Sequence, residues 1–128
     1  MLENNRLVMI VDDDLNFAKM LQFLFTTKGF AVKSAINGVD ALEMLKKNKP
    51  AAIILDILMP QMDGIEFMKK IKTDPLTKEV PVVVLSAAGS GESKKELLSL
   101  GACDYFDKPF KSEALVRRVA EAIEESKL

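Results

Sequence analysis

Residues Leu7 to Asp14 read LVMIVDDD, five apolar side chains in unbroken succession followed by three aspartates. A half-exposed strand would alternate apolar and polar positions. A run without alternation suits a strand buried on both faces. Comparable runs recur at Ala51 to Leu55 and Val80 to Leu85, with weaker ones at Phe30 to Ile36 and Cys103 to Phe106. Between them lie stretches with helical spacing. Leu21, Leu24 and Phe25 share a face of Leu15 to Lys28, which Gly29 closes as a helix C-cap would. Leu42 and Leu45 precede Pro50. Ile65, Met68 and Ile71 precede Pro75, and Leu97, Leu98 and Leu100 precede Gly101. Leu115, Val119, Ala122 and Ile123 form the last stripe.

Buried strands alternating with amphipathic helices predict an α/β fold, a doubly wound parallel sheet of five strands with right-handed crossovers covered on both faces. The five units consume all 128 residues, so a single domain is expected over 1–128, with an ordered core at about 6–125. Composition agrees. Apolar residues make up 48% and charged residues 29%, which excludes collagen-like and wholly disordered chains. Eighteen basic against nineteen acidic residues leave a net charge of -1, so direct nucleic-acid binding has no electrostatic support. One cysteine and no histidine exclude a disulfide framework, a zinc site and acid–base catalysis by imidazole. The five-residue apolar run at the N-terminus is too short for a signal peptide or a membrane span, and a cytoplasmic protein is expected.

In an open parallel sheet the functional crevice lies at the carboxyl ends of the strands. Asp12, Asp13 and Asp14 follow the first run, Asp56 the third, Ser86 the fourth, and Lys108 with Pro109 the fifth. Crowded carboxylates repel and call for a cation, and an all-oxygen donor set suits magnesium. A lysine and a hydroxyl add partners for phosphate oxygens. The set is suited to holding a phosphoryl group on a carboxylate.

The segments IVDDD (Ile10 to Asp14), ILDILMPQMDG (Ile54 to Gly64), VLSA (Val84 to Ala87) and YFDKPF (Tyr105 to Phe110) together resemble the receiver domain of the two-component response-regulator family, of which the chemotaxis receiver is a member. The resemblance implies a flavodoxin-like sandwich with strand order 2-1-3-4-5. It implies that Asp56 accepts the phosphoryl group from a sensor histidine kinase or a histidine phosphotransfer protein, with Mg2+ as cofactor. Asp13 and Asp56 would be direct metal ligands, with the Leu58 carbonyl, and Asp12 would act through water. Ser86 would be the switch hydroxyl, Lys108 the phosphate-binding cation, joined to Pro109 by a cis bond, and Tyr105 the aromatic switch. The signal would be read at the face of the fourth helix, fifth strand and fifth helix. Such a domain is a signalling module that promotes its own phosphorylation and dephosphorylation, and not an enzyme in the ordinary sense.

Two departures from the family pattern matter. Lys111 stands where an aspartate often caps the last helix, so Ser112 is expected to take the cap. Ala88-Gly89-Ser90-Gly91 makes the entry to the fourth helix permissive, and a short or frayed helix is expected there. Leu58 and Ala88 offer no side chain to orient a water, which points to slow self-hydrolysis. The first helix also carries surplus apolar surface at Phe17, Met20 and Phe23; Phe17 and Met20, with Asp14 at the rim, form a candidate docking patch for the phosphohistidine donor.

Three rivals can be weighed. A phosphatase of the haloacid-dehalogenase type needs a second acidic cluster after the fourth strand, where this chain has Ser86-Ala87-Ala88-Gly89. A receiver-shaped module indifferent to phosphate has no need of the acid, hydroxyl and lysine set. A flavodoxin needs a phosphate loop after the first strand, where three aspartates stand.

Overall fold

The computed structural model describes residues 6–56, 64–87 and 91–127. Along the chain run β1 (Leu7–Val11), α1 (Leu15–Thr27), β2 (Ala31–Ala35), α2 (Gly38–Lys47), β3 (Ala52–Asp56), α3 (Gly64–Thr73), β4 (Val82–Ala87), α4 (Gly91–Ser99), β5 (Asp104–Lys108) and α5 (Ser112–Ser126). The five strands form one parallel sheet in the order β2-β1-β3-β4-β5, as expected.

Because successive strand side chains point to opposite faces, the apolar runs feed two cores at once. Met9, Val11, Ile53, Leu55, Val82 and Val84 pack with Phe67, Met68 and Ile71 of α3 and Leu97 of α4. Val8, Ile10, Ile54, Val83 and Leu85 pack with Leu21 and Phe25 of α1 and Leu115, Val119 and Ile123 of α5. Each large apolar side chain fully buried this way contributes about 1.5–3 kcal/mol. The C-terminus of α1 closes on Gly29 at φ 92, with the Phe30 N–H donating to the Phe25 carbonyl at 3.1 Å, a turn in which a Cβ would be strained.

The helical stripes need small corrections. Leu98 is 41% exposed, because it lies about 100° around α4 from Leu97 while Leu100 returns to the buried face. Phe67 is fully buried on α3 beside Met68, although the expected stripe omitted it. Among the described residues α4 spans nine and is the shortest of the five helices. The cap of α5 also differs from expectation. Lys111 occupies the N-cap position with no side-chain cap bond, and Ser112 is already helical. The Lys111 carbonyl accepts the Leu115 N–H at 3.2 Å, so the helix that buries Leu115 begins one residue before Ser112 could cap it.

Candidate functional site

Strand register assembles the site. Val11 lies beside Leu55, so Asp12, one residue on, emerges at the level of Asp56. Asp56 in turn pairs with Leu85, one residue before Ser86. On the far side Ser86 pairs with Asp107 and Ala87 with Lys108. Four crossovers thus bring residues from four strand ends to one edge of the sheet.

Asp12, Asp13 and Asp56 each place a carboxylate oxygen within 4.8 Å of the other two. Asp12 is 1% exposed, Asp56 8% and Ser86 0%, while Asp13 is open to solvent. One oxygen of Asp12 accepts the Asp14 N–H at 2.9 Å. The other, Oδ2, is buried with no hydrogen-bond donor among the described residues. Burial pushes the Asp12 carboxyl up to about 7; the Asp14 N–H opposes the shift, and the neighbouring Asp56 charge adds to it. A buried acceptor facing other acceptors is an unfavourable arrangement that a hard cation would relieve, and the all-oxygen donor set fits magnesium. Leu58, whose carbonyl is the remaining expected ligand, lies outside the described residues, as does Ala88.

Lys108 Nζ stands 3.4 Å from Asp56 Oδ2 and 4.1 Å from the centroid of the Phe17 ring. The bond from Lys108 to Pro109 is cis. Tyr105 is buried against the core on the α3 and α4 side, with Lys94 Nζ 5.8 Å from its ring centroid. Asp14 has a local task. It caps α1, its Oδ1 accepting the N–H groups of Asn16 and Phe17 at 3.1 Å each. Met20 is 45% exposed and Phe23 73%, whereas Phe17 is half-buried. The contact of Phe17 with Lys108 had no signal in the sequence, since nothing local joins residues so far apart in the chain. A depression of about 370 Å³ between α2 and α3, lined by Val39, Leu42, Leu45 and Leu76, shares no residue with this cluster.

A model of the response regulator receiver domain matches residues 8–120. Over 121 residues the chain is 34% identical to response regulator MprA of Mycobacterium ulcerans, covering 94% of this chain and 51% of that protein. The chain therefore spans about half the length of the curated relatives it matches. Among solved structures, the Francisella response regulator 1452 receiver domain is similar with a TM-score of 0.87 at 33% identity, covering 95% of this chain and 99% of that one. Chemotaxis protein CheY4 of Vibrio cholerae has a TM-score of 0.86 at 30% identity, covering 93% and 99%. The parallel sheet of order 2-1-3-4-5, the acids and lysine at its carboxyl edge, and a family match over most of the chain lead to one conclusion: the chain belongs to the response regulator receiver domain family, the signalling domain of two-component systems.

Proposed function

We propose that Asp56 accepts a phosphoryl group from the phosphohistidine of a sensor histidine kinase or histidine phosphotransfer protein, with the 6–125 unit acting as one receiver module. The observation that carries this reading is the position of the Asp56 carboxylate, with Asp12 and Asp13 on one side and Lys108 Nζ 3.4 Å away on the other. An Asp56 oxygen attacks phosphorus in line. The new O–P bond forms as the N–P bond of the donor breaks, and the imidazole leaves with the bonding pair and takes up a proton. Asp13 and Asp56 would hold magnesium directly, with the Leu58 carbonyl, and Asp12 through water. Bound there, the ion neutralises charge on the phosphoryl oxygens. Lys108 steadies another of those oxygens, and Ser86 donates to a group present only after transfer.

The added phosphate brings nearly two negative charges, so new bonds at Ser86 and Lys108 favour a second arrangement of the loops. Tyr105 transmits it to the face formed by α4, β5 and α5. Phe17 and Met20, with Asp14 at the rim, lie on the first turns of α1 beside the acids and form the surface on which the donor docks. No described helix is long and apolar enough to cross a membrane, and the module is proposed to work in the cytoplasm without contacting nucleic acid itself. The test is intact mass after treatment with a small acyl phosphate and magnesium. A single hydroxylamine-labile adduct is expected in the wild type and none in Asp56→Asn; an adduct retained in Asp56→Asn removes Asp56 as acceptor.

A further inference from the structure

Lys108 is held from two sides. Its ammonium approaches Asp56 Oδ2 at 3.4 Å, and the centroid of the Phe17 ring lies 4.1 Å from the same nitrogen. The face of an aromatic ring is the negative pole of its quadrupole, so a cation at this distance is attracted to it, the more so when water is partly excluded. Lys108 is part-buried in this setting, its side chain 29% exposed. A lysine on a four-carbon stem otherwise samples many rotamers, and each one that swings the ammonium out to water is lost to the site.

The ring itself is fixed. Phe17 meets Phe110 edge to face, with centroids 6.1 Å apart and planes at 80°, and Phe110 meets Phe106 in the same manner at 6.1 Å and 73°. Phe106 belongs to β5, two residues before Lys108, so this aromatic staircase ties the first turn of α1 to the end of the strand that carries the lysine. At its other end the Phe17 N–H donates to Asp14, which follows the acids Asp12 and Asp13 in the same loop. Loop, helix turn, ring and lysine form one continuous chain of contacts.

From this geometry we infer that Phe17 is a positioning residue for Lys108: the face of its ring holds the ammonium beside Asp56, where a phosphoryl oxygen will arrive. The inference rests on the role given to Lys108 above. It assigns Phe17 a part in transfer even from small donors that need no docking surface.

The test compares the wild type with 4-fluoro-, 3,5-difluoro- and pentafluorophenylalanine at position 17, which keep the ring's shape while progressively emptying its face of negative potential. Rates of Asp56 phosphorylation by a small acyl phosphate should fall stepwise along the series, by about two- to fivefold overall. In a Lys108→Met background the same series should be flat. Phe17→Trp should retain the rate and Phe17→Leu should lose it. As a readout independent of activity, the Lys108 ε-methylene protons should be shifted upfield by the ring current in the wild type and return to ordinary positions in Phe17→Leu. A flat series in a protein that phosphorylates normally, with Lys108→Met slow, overturns the positioning role and leaves the proposed function standing. Failure of the wild type to gain an adduct on Asp56, or wild-type rates in Lys108→Met, overturns both.

Discussion

The unfavourable electrostatics of Asp12 can be measured as stability. Its carboxyl lies 1% exposed beside Asp56 and is pushed by burial from an ordinary 3.8 up to about 7. In the unfolded chain the group ionises near 3.8. Below about pH 4 it is protonated in both states and contributes nothing. Between about 4 and 7 the folded state keeps a proton that the unfolded state has released, so stability falls as the pH rises. Above 7 both forms are ionised and the penalty is complete. About three pKa units at 1.36 kcal/mol each make it on the order of 4 kcal/mol. Asp12→Asn abolishes the ionisation, keeps an oxygen for the Asp14 N–H and offers an amide donor toward Asp56. In EDTA at pH 8 the variant should therefore be more stable than the wild type by about 2–4 kcal/mol, the lower figure allowing for water reaching the site. With a urea m-value of about 2 kcal/mol/M, that is a midpoint shift of roughly 1–2 M. The chain has no tryptophan, so far-UV circular dichroism is the probe. The gap should narrow on acidification and close near pH 4. A variant no more stable than the wild type at pH 8, or a gap unchanged between pH 5 and pH 8, would refute the reasoning.

Asp13→Ala should abolish magnesium binding measured by calorimetry; unchanged affinity would remove Asp13 from the ligand set. Ser86→Ala should accept phosphate at Asp56 yet give a reduced phosphate-induced NMR shift pattern across α4, β5 and α5, whereas an unaltered pattern would exclude the hydroxyl from the switch. Phe67→Ala should cost about 3–5 kcal/mol of stability in urea melts, since the side chain is fully buried in the core that α3 shares with the sheet, and a loss below 1 kcal/mol would contradict that packing. The aspartyl phosphate should outlast seconds, as neither Leu58 nor Ala88 carries a side chain to orient a water; decay within seconds by phosphate release would count against it.

What could be read from the chain follows from how many faces each strand buries. β1 and β3 lie inside the sheet, and nearly every side chain of theirs is excluded from water, so they appear as unbroken apolar runs. β2 is an edge strand in which only Ala35 is buried, and β5, the other edge, buries Tyr105 alone; their runs were correspondingly weak. The clustering of Asp12, Asp13, Asp56 and Lys108 was legible because strand ends in this topology converge. Other features depended on three-dimensional neighbours. Asp12 and Asp14 are alike as letters, yet one is buried against Asp56 and the other caps a helix in solvent. Phe17 belongs to the surplus apolar surface of α1 by spacing, as Phe23 does, but only the order of the strands brings Lys108 to its ring. The cap of α5 was misjudged because a preference for serine at that position is worth about 1 kcal/mol, less than the burial of Leu115.

A second group of polar bonds lies at the opposite end of the sheet. Where β4 begins, the Lys72 ammonium donates to the carbonyls of Lys78 and Val80 at 3.1 and 2.9 Å, and the Thr77 hydroxyl to that of Ile71 at 2.7 Å. Where β5 begins, Arg118 of α5 meets Asp104 at 2.9 Å, the Cys103 sulfur at 3.1 Å and Glu125 at 3.4 Å. Burial pulls the Lys72 ammonium below its usual range. It also works against Arg118, but the Asp104 bond and the acidic neighbours hold that guanidinium above its own. An exposed pair alone contributes little, about 1 kcal/mol or less, but several partners on one guanidinium fix its geometry. β4 and β5 are thus pinned where they begin, while the clustered carboxylates stand at the other edge of the sheet, at the ends of β1 and β3. Under the proposed function, a new charge at Asp56 acts at the carboxyl ends of the strands, away from the anchors that hold the starts of β4 and β5.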